Sequence, residues 1–515
     1  MSTAKGVRTG QPDAEAKPEM KRLLILLVAL ALGLTLGPTA VAGAAADEHS
    51  DNMSLVGRWD DNGTYREGSD LAFWGNTAVL GRYNGMELLD ISRPDNPRHV
   101  GKLKCNGNQN DVTIWGTLAF ISVDSPMSHD GCDSPAATPV EYATGTAWEG
   151  IRIIDVSKPS SPEQIATVYN DCGSHTHTII PDLQHRDRFT GQPDPRVLLY
   201  SHSYPLGGQG VRCNAATQRK IAVVEVPLNR PTEARVINTP DVSPAVGCHD
   251  ITIFLPRKLA GAACISESQI WDISDPVNPV ILSRIRNPAM QIHHSSAFSW
   301  DGDVLVLGDE KGGAAAASGC NTSGSAPTGA MWFYDISDPL RPQEKGYFVP
   351  PQNEVSTMCT AHNFNVIPVR SDKRILTTSW YHGGTHVIDF TDPSNPKQLG
   401  YYKTKDGVRG TPWSSYWYNG HIYANNFDAG YVPPVPESRG LDVFRIDHPD
   451  LTNVRTLTRL NPQLQEPLTG LAPRAQGTPI TAAQRQQAIA RQAEIRAEAA
   501  PAGADLPTPF CVLQV

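Results

Sequence analysis

A short segment that recurs along the 515-residue chain constrains its fold more than any other feature. Each copy has an apolar run, an acidic residue, a Ser or Thr and two prolines spaced three apart; its acidic residue is Asp90, Asp155, Asp272, Asp335 or Asp389. Two degraded copies have Glu225 and Arg445 at that position. The intervals between the seven positions are 65, 70, 47, 63, 54 and 56 residues, which is typical of a propeller or a repeat array.

The sequence around each copy predicts four antiparallel strands, named a to d here. The repeated segment gives strand c, a Pro-rich turn and strand d, because proline presets turn geometry and interrupts pairing. A hairpin precedes it, as at Gly75-Asn76 and Asn419-Gly420, where turn residues separate apolar stretches. Seven such units, A to G, predict an all-β, seven-bladed β-propeller over residues 47–461. A β-solenoid is the alternative, but its repeats are much shorter.

The Asp-Ile-Ser-x-Pro-x-x-Pro segments resemble those of the LVIVD repeat family of secreted bacterial β-propeller proteins. The resemblance extends over about residues 53–460 and implies the fold, but no particular activity. Residues 54–59 and residues 453–457 both look like the strand that completes the last blade, and the sequence leaves this choice open.

The N-terminal residues 1–46 have the pattern of a signal peptide with a polar extension. Lys21 and Arg22 precede a 14-residue apolar run, and small residues follow over 40–46. We expect cleavage near 42–46 and a secreted or extracytoplasmic protein with no membrane span in the mature chain; an uncleaved anchor is the alternative. A net charge of −9 without a long basic run argues against nucleic-acid binding. Residues 462–515 predict a polar, Ala-rich helix and a tail.

Histidines occupy one position in four consecutive units. Strand a begins, from unit A to unit G, with Ser69, Asn110, His175, His249, His293, His362 and Trp413. Strand a lines the channel of a propeller, so these imidazoles should converge at its mouth. Imidazole clusters bind transition metals, and we expect one ion of iron, copper or zinc at His175, His249, His293 and His362, with His177 and His294 as alternates. A polar network without metal is the alternative.

Strand b ends at the same mouth and adds further polar residues. His202, Glu267 and Asp309 are candidates for orienting the metal ligands, and Glu310 is the candidate catalytic base. Solvated loop charges are the competing interpretation. Long b–c connections at 124–148, 201–218, 309–329 and 427–439 project from this face.

Nine cysteines in an exported chain predict disulfides. Cys172, Cys248 and Cys359 each precede a strand a, while Cys132, Cys213 and Cys320 lie in the b–c connection of the preceding unit. We therefore expect Cys132–Cys172, Cys213–Cys248 and Cys320–Cys359, with Cys264 as a free thiol and Cys105 and Cys511 left over. The rival pairing is Cys105–Cys132, with Cys172 free.

The sequence thus indicates an exported propeller with a four-histidine metal site. Its plan resembles the four-histidine arrangement of carotenoid-cleaving oxygenases and the His-lined propellers of methanethiol oxidases, in architecture only. If the protein is an enzyme, metal-dependent oxidation of a small molecule is the activity that we expect. The alternative is a non-catalytic propeller that binds an extracellular or cell-surface partner through its b–c loops.

Overall fold

A computed structural model describes residues 47–60, 68–203, 211–311, 320, 327–352, 359–404, 411–427, 440–471 and 479–497. The signal segment, parts of the long b–c connections and Cys511 lie outside the described residues. Within the described part of the chain, no helix combines the length and apolar character that a membrane crossing requires.

The described strands form seven antiparallel blades, which confirms the seven-bladed β-propeller. In blade A, strands a to d are Gly68–Trp74, Thr77–Arg82, Gly85–Asp90 and Arg98–Lys104. In blade B they are Val112–Trp115, Leu118–Met127, Trp148–Asp155 and Glu163–Tyr169; in blade C, Thr176–Asp182, Arg196–His202, Ala222–Pro227 and Arg235–Asn238. Blade D has Asp250–Phe254, Leu259–Ala263, Ser268–Asp272 and Val280–Ile285; blade E has His293–Phe298, Val304–Asp309, Met331–Asp335 and Gln343–Phe348. Blade F has Phe364–Ile367, Ile375–Trp380, Gly384–Asp389 and Lys397–Lys403; blade G has Pro412–Tyr418, His421–Asn426, Leu441–Ile446 and Met53–Trp59.

The N-terminal strand Met53–Trp59 closes the ring. It pairs antiparallel with Leu441–Ile446 and is therefore strand d of blade G. The competing stretch, 453–457, forms no strand; Val454 makes only an isolated bridge to Val369. The two-residue strand Glu48–His49 adds to the outer edge of blade F.

The repeated motif shapes each c–d turn. In all five clear copies the acidic side chain accepts a hydrogen bond from the backbone N–H two residues later, for example Asp155 from Ser157 at 2.7 Å. This local bond favours a turn over continued pairing. The turn packs on strand d of the preceding blade, where Gly57 and Gly101 lie so near the carbonyl oxygens of Pro94 and Pro159 that a side chain would collide with them. The motif therefore builds both the turn and the contact between blades.

A segment that we call the strap, residues 459–465, crosses the channel at the end opposite the histidines. Its strand Arg459–Leu460 pairs with the end of strand a in blade A, and Leu464–Gln465 pairs with the end of strand a in blade D. The side chain of Asn461 makes two hydrogen bonds to the backbone of Ile114 in blade B. Its Oδ1 accepts from the N–H at 2.8 Å, and its Nδ2 donates to the carbonyl at 3.0 Å. Residues beyond 461, where the sequence analysis ends the propeller, therefore take part in it.

Two α-helices lie in the described residues. Pro139–Thr144 forms one turn and a half in the b–c connection of blade B, with a capping box between Thr138 and Glu141. The helix Ala482–Ala497 packs on the outer strand of blade D, where Ala488 is buried and Gln492 donates to the Ile281 carbonyl at 2.6 Å. The expected polar helix is present, and it contacts blade D through one narrow face that includes Ala488 and Gln492.

The disulfides are Cys105–Cys132, Cys172–Cys213, Cys248–Cys264 and Cys320–Cys359. The expected pairings Cys132–Cys172 and Cys213–Cys248 are wrong, as is the free thiol at Cys264; Cys320–Cys359 is present. The rival Cys105–Cys132 is present too, but without a free Cys172. The reason is geometric, because the start of strand a and the end of strand b are hydrogen-bonded neighbours within one blade. Cysteines beside them therefore pair inside the blade in three of the four disulfides, whereas Cys320–Cys359 joins blade E to the start of blade F.

Candidate metal centre

Four imidazoles from consecutive blades form a row at the mouth end of the channel. They belong to His175, His249, His294 and His362, and we call them the histidine row. Successive ring centroids lie 4.3, 3.8 and 4.3 Å apart. All four residues are at most 1% exposed, so the row is shielded from bulk water.

The third member of the row is the alternate His294, and His293 lies outside it. A bulge between His293 and Ser295 shifts the pairing of strands a and b in blade E. His293 is therefore directed to Ser268, whose hydroxyl lies 2.8 Å from its Nδ1. The other alternate, His177, contacts Thr113 and Ser122 through its two nitrogens, at 2.7 and 2.8 Å, and has no place in the row.

The outer histidines of the row are oriented by the protein. Nδ1 of His175 lies 2.8 Å from a carboxylate oxygen of Asp124, and Nδ1 of His362 contacts the backbone carbonyl of Trp413. These acceptors place the proton on Nδ1 and leave Nε2 with a lone pair, as in many metal-ligating histidines. Nε2 of His175 lies 2.8 Å from Nε2 of His249.

Glu310 lies between the last two imidazoles. Its carboxylate oxygens are 3.4 Å from Nε2 of His294 and 3.7 Å from Nε2 of His362. The hydroxyl of Tyr381 donates to the same carboxylate at 2.7 Å. Two sets with metal-ligand spacing result, His249–Asp250–His294 and His294–Glu310–His362, each with its ligand atoms within 4.8 Å of one another.

The remaining sequence candidates have other contacts. Glu267 is bound by Arg284 and Gln269, the latter at 2.8 Å, and is engaged outside the row. Asp309 accepts the backbone N–H groups of Gln291 and Ile292 at 3.0 Å and so fixes the connection that leads to the blade E histidines. His202 lies 3.2 Å from the Thr176 hydroxyl.

Three residues of the site were not predicted from the sequence: Asp124, Asp250 and Tyr381. Asp250 follows His249 directly and could have been found by reading the next position of the strand alignment. Asp124 lies within strand b of blade B, Leu118–Met127, at the position where the sequence predicted the start of the b–c connection. Tyr381 occupies a one-turn 3-10 helix with φ of 22°, and no sequence pattern indicated it.

Burial favours the neutral form of three imidazoles of the row, those of His249, His294 and His362. Removal from water, with smaller contributions from the imidazoles of His249 and His175, lowers the pKa of His362 to about 3. Burial first, and repulsion between neighbours second, hold the pKa values of His249 and His294 well below 6.5. A metal ligand must be the neutral imidazole, so these three histidines are in the ligating form at physiological pH.

The donor set fits a transition metal. Several imidazole nitrogens with one or two carboxylates match the preferences of iron, copper and zinc, whereas magnesium and calcium favour sites built from oxygen. Buried polar atoms normally have hydrogen-bond partners, yet neither ring nitrogen of His294 has one among the described residues. A cation would provide the missing interaction.

Comparison with known proteins agrees with the repeat. The model of the LVIVD repeat matches residues 145–169, which include strands c and d of blade B and their turn. The chain therefore carries an LVIVD repeat, consistent with the family that its repeated segments resemble. No curated protein matches the chain.

Solved structures give only distant likenesses. A functionally unknown protein of Desulfotomaculum acetoxidans DSM 771 is 11% identical, with a TM-score of 0.43 over 65% of this chain and 85% of its own. Hydrazine synthase of Kuenenia stuttgartiensis is 10% identical, with a TM-score of 0.47 over 77% and 97%. A 6-phosphogluconolactonase-like protein of Bacteroides fragilis NCTC 9343 is 9% identical, with a TM-score of 0.45 over 81% and 97%. Similarities at this level carry no functional argument.

Proposed function

We propose that this protein is an exported metal-binding β-propeller whose histidine row, with Glu310, binds a transition metal. The observation that carries the proposal is the convergence of four buried imidazoles, of which His249, His294 and His362 have strongly lowered pKa values. Without a cation, such burial leaves polar atoms unsatisfied, at about 1–3 kcal/mol each. Iron, copper and zinc are the ions that this donor set suits.

The activity that we propose is metal-dependent oxidation of a small molecule. A bound ion would supply Lewis acidity or redox chemistry. Asp124 and the Trp413 carbonyl hold the outer imidazoles in one tautomer, and Tyr381 holds Glu310. Glu310 is the group that could accept a substrate proton, and the low exposure of the row excludes water from the reaction.

A second candidate function is the binding of an extracellular partner without catalysis. It is favoured by the b–c connections of blades B and C, because disulfides tie Cys132 and Cys213 to the mouth. Loops that are fixed on a rigid scaffold are common binding elements. This candidate requires no turnover, so an assay of oxidation with the metal-loaded protein separates the two.

Export is the third part of the proposal. The pattern over residues 1–46 is that of a signal peptide, and four disulfides suit an oxidising compartment. Mass spectrometry of the exported protein should find an N-terminus near residues 42–46. A chain that still begins at residue 1 would contradict cleavage.

Elemental analysis of freshly purified protein tests metal binding. We expect a transition metal in the wild type and its loss in the double variant His249→Ala/His362→Ala. The control is His185→Ala, which removes a partly exposed histidine outside the row. Absence of metal from folded wild-type protein, or full occupancy in the double variant, would contradict the proposal.

A further inference from the structure

His294 differs from the outer histidines of the row in one respect. His175 and His362 each commit Nδ1 to a protein acceptor and keep Nε2 for a ligand. Neither nitrogen of His294 has a hydrogen-bond partner among the described residues, although the side chain is fully buried. One ion bound to one nitrogen of His294 would leave the other nitrogen unsatisfied in a medium where this is costly.

His294 also stands at the junction of the two ligand sets. It belongs to the set with His249 and Asp250 and to the set with Glu310 and His362. Each set brings its own carboxylate and its own second imidazole. Oδ1 of Asp250 is buried and has no hydrogen-bond partner among the described residues. The first set therefore has an unsatisfied acceptor independent of Glu310.

We propose that the histidine row holds two transition-metal ions, with His294 as the bridge between them. One ion is bound by His249, Asp250 and His294, and the other by His294, Glu310 and His362. His175, whose Nε2 lies 2.8 Å from that of His249, is beside the first ion. This inference rests on the proposed function, because it assumes that the row binds metal at all.

Formation of the bridge requires His294 to lose its ring proton. Neutral His294 carries one ring proton, and coordination through both nitrogens releases this proton to solvent as the imidazolate forms. The bridge adds one negative charge to those of Asp250 and Glu310. Two divalent ions carry four positive charges, so the site as a whole has a net charge of about +1. A single bound anion would neutralise it.

Metal titration of the metal-free protein measures the number of ions directly. With Zn²⁺ or Cu²⁺ we expect two ions per chain, detected by elemental analysis after removal of the excess. The Cu²⁺-loaded protein adds a spectroscopic test, since an imidazolate bridge couples the two unpaired electrons. Its electron paramagnetic resonance signal should therefore integrate to much less than two isolated Cu²⁺ ions.

Two isosteric variants test the two sets separately. Asp250→Asn should reduce the stoichiometry from two ions to one, and Glu310→Gln should do the same from the other side. The remaining Cu²⁺ should give the full signal of one uncoupled ion. His293→Gln is the matched control, because this neighbour of His294 faces Ser268, and it should retain two ions.

The outcomes separate the inference from the proposed function. One ion in the wild type, still one in Asp250→Asn, overturns the two-ion inference and leaves the metal-binding function intact. No ion in the folded wild type overturns both. Thermal unfolding of the metal-free variants checks that each is folded; if one variant does not fold, the reciprocal variant decides between one ion and two.

Discussion

At the scale of single residues, Tyr381 is the side chain that positions Glu310. Its φ of 22° is unfavourable for a residue with a side chain, and the hydroxyl reaches the Glu310 carboxylate at 2.7 Å. Strained backbone of this kind is found where the surroundings fix a functional geometry. The ring also lies 4.6 Å from that of His362, so Tyr381 touches two members of the proposed site.

We expect Tyr381→Phe to weaken metal binding without unfolding the protein. The lost hydrogen bond is worth about 1 kcal/mol, or roughly a five-fold rise in the metal dissociation constant. Competition with a chelator of known affinity measures it. The control is Tyr200→Phe, which removes a buried hydroxyl bonded to the Pro276 carbonyl, far from the row. Equal affinity in both variants would show that Tyr381 does not position Glu310.

Glu149 gives the molecule a pH-dependent stability. Burial, and then the charges of Asp124 and Asp171, raise the pKa of Glu149 from 4.5 to about 8. The folded protein therefore keeps a proton that the unfolded chain loses, and stability falls as pH rises from about 4.5 to about 8. Glu149→Gln removes this loss, so it should stabilise the protein at pH 8.5 by roughly 2–4 kcal/mol and little at pH 5.

Urea unfolding at the two pH values checks this expectation. Glu163→Gln, an exposed change in the same blade, is the control and should show no such pH dependence. A Glu149→Gln variant with the same gain at pH 5 and pH 8.5 would contradict the raised pKa.

The sequence predicted most of the row, but not its third member. Equivalent strand positions face one axis, so aligning the units brought His175, His249 and His362 together. His293 and His294 differ only by the bulge in blade E, and a one-residue shift in register exchanges the two faces of a strand. Bulges depend on packing with neighbouring strands, which the aligned residues do not encode locally.

At the scale of elements, the strap ties several blades across the axis. Asn461 pairs with Ile114 in blade B and Gln465 pairs with Phe298 in blade E. In each pair the side-chain amide oxygen accepts from the backbone N–H and the amide nitrogen donates to the backbone carbonyl. Gln463, between them, donates to Asp70 in blade A at 2.8 Å. Every second residue of this stretch thus binds a neighbouring blade through its side chain, where a strand would use its backbone. The strap was not predicted, because its seven residues are too few to show a hydrophobic periodicity.

We expect Asn461→Ala to destabilise the propeller. It leaves the Ile114 N–H and carbonyl buried without their partner, at a cost of about 2–4 kcal/mol. The midpoint of urea unfolding measures the loss, with Asn96→Ala in an exposed turn as the control. If both variants unfold at the wild-type midpoint, the strap contributes nothing to stability.

At the scale of the whole molecule, the seven repeats determine the propeller architecture. They do not determine which strand closes the ring or how the cysteines pair. The repeat length and the Asp-x-Ser turns indicated the blades, because each unit supplies the same four strands. Which strand closes the ring depends on contacts between the two ends of the propeller, and the blade-internal disulfides depend on distances within one blade. Neither is encoded in the repeat itself, so both needed the three-dimensional structure.

The measurement that tests the central claim most directly is anomalous X-ray diffraction at a transition-metal absorption edge, from crystals of the purified protein. We predict anomalous density within the histidine row, about 2.0–2.1 Å from imidazole nitrogens, as expected for zinc bound by histidine. The His249→Ala/His362→Ala variant should lose this density. Folded wild-type protein with no anomalous density at the row, or with metal only elsewhere, would contradict the account.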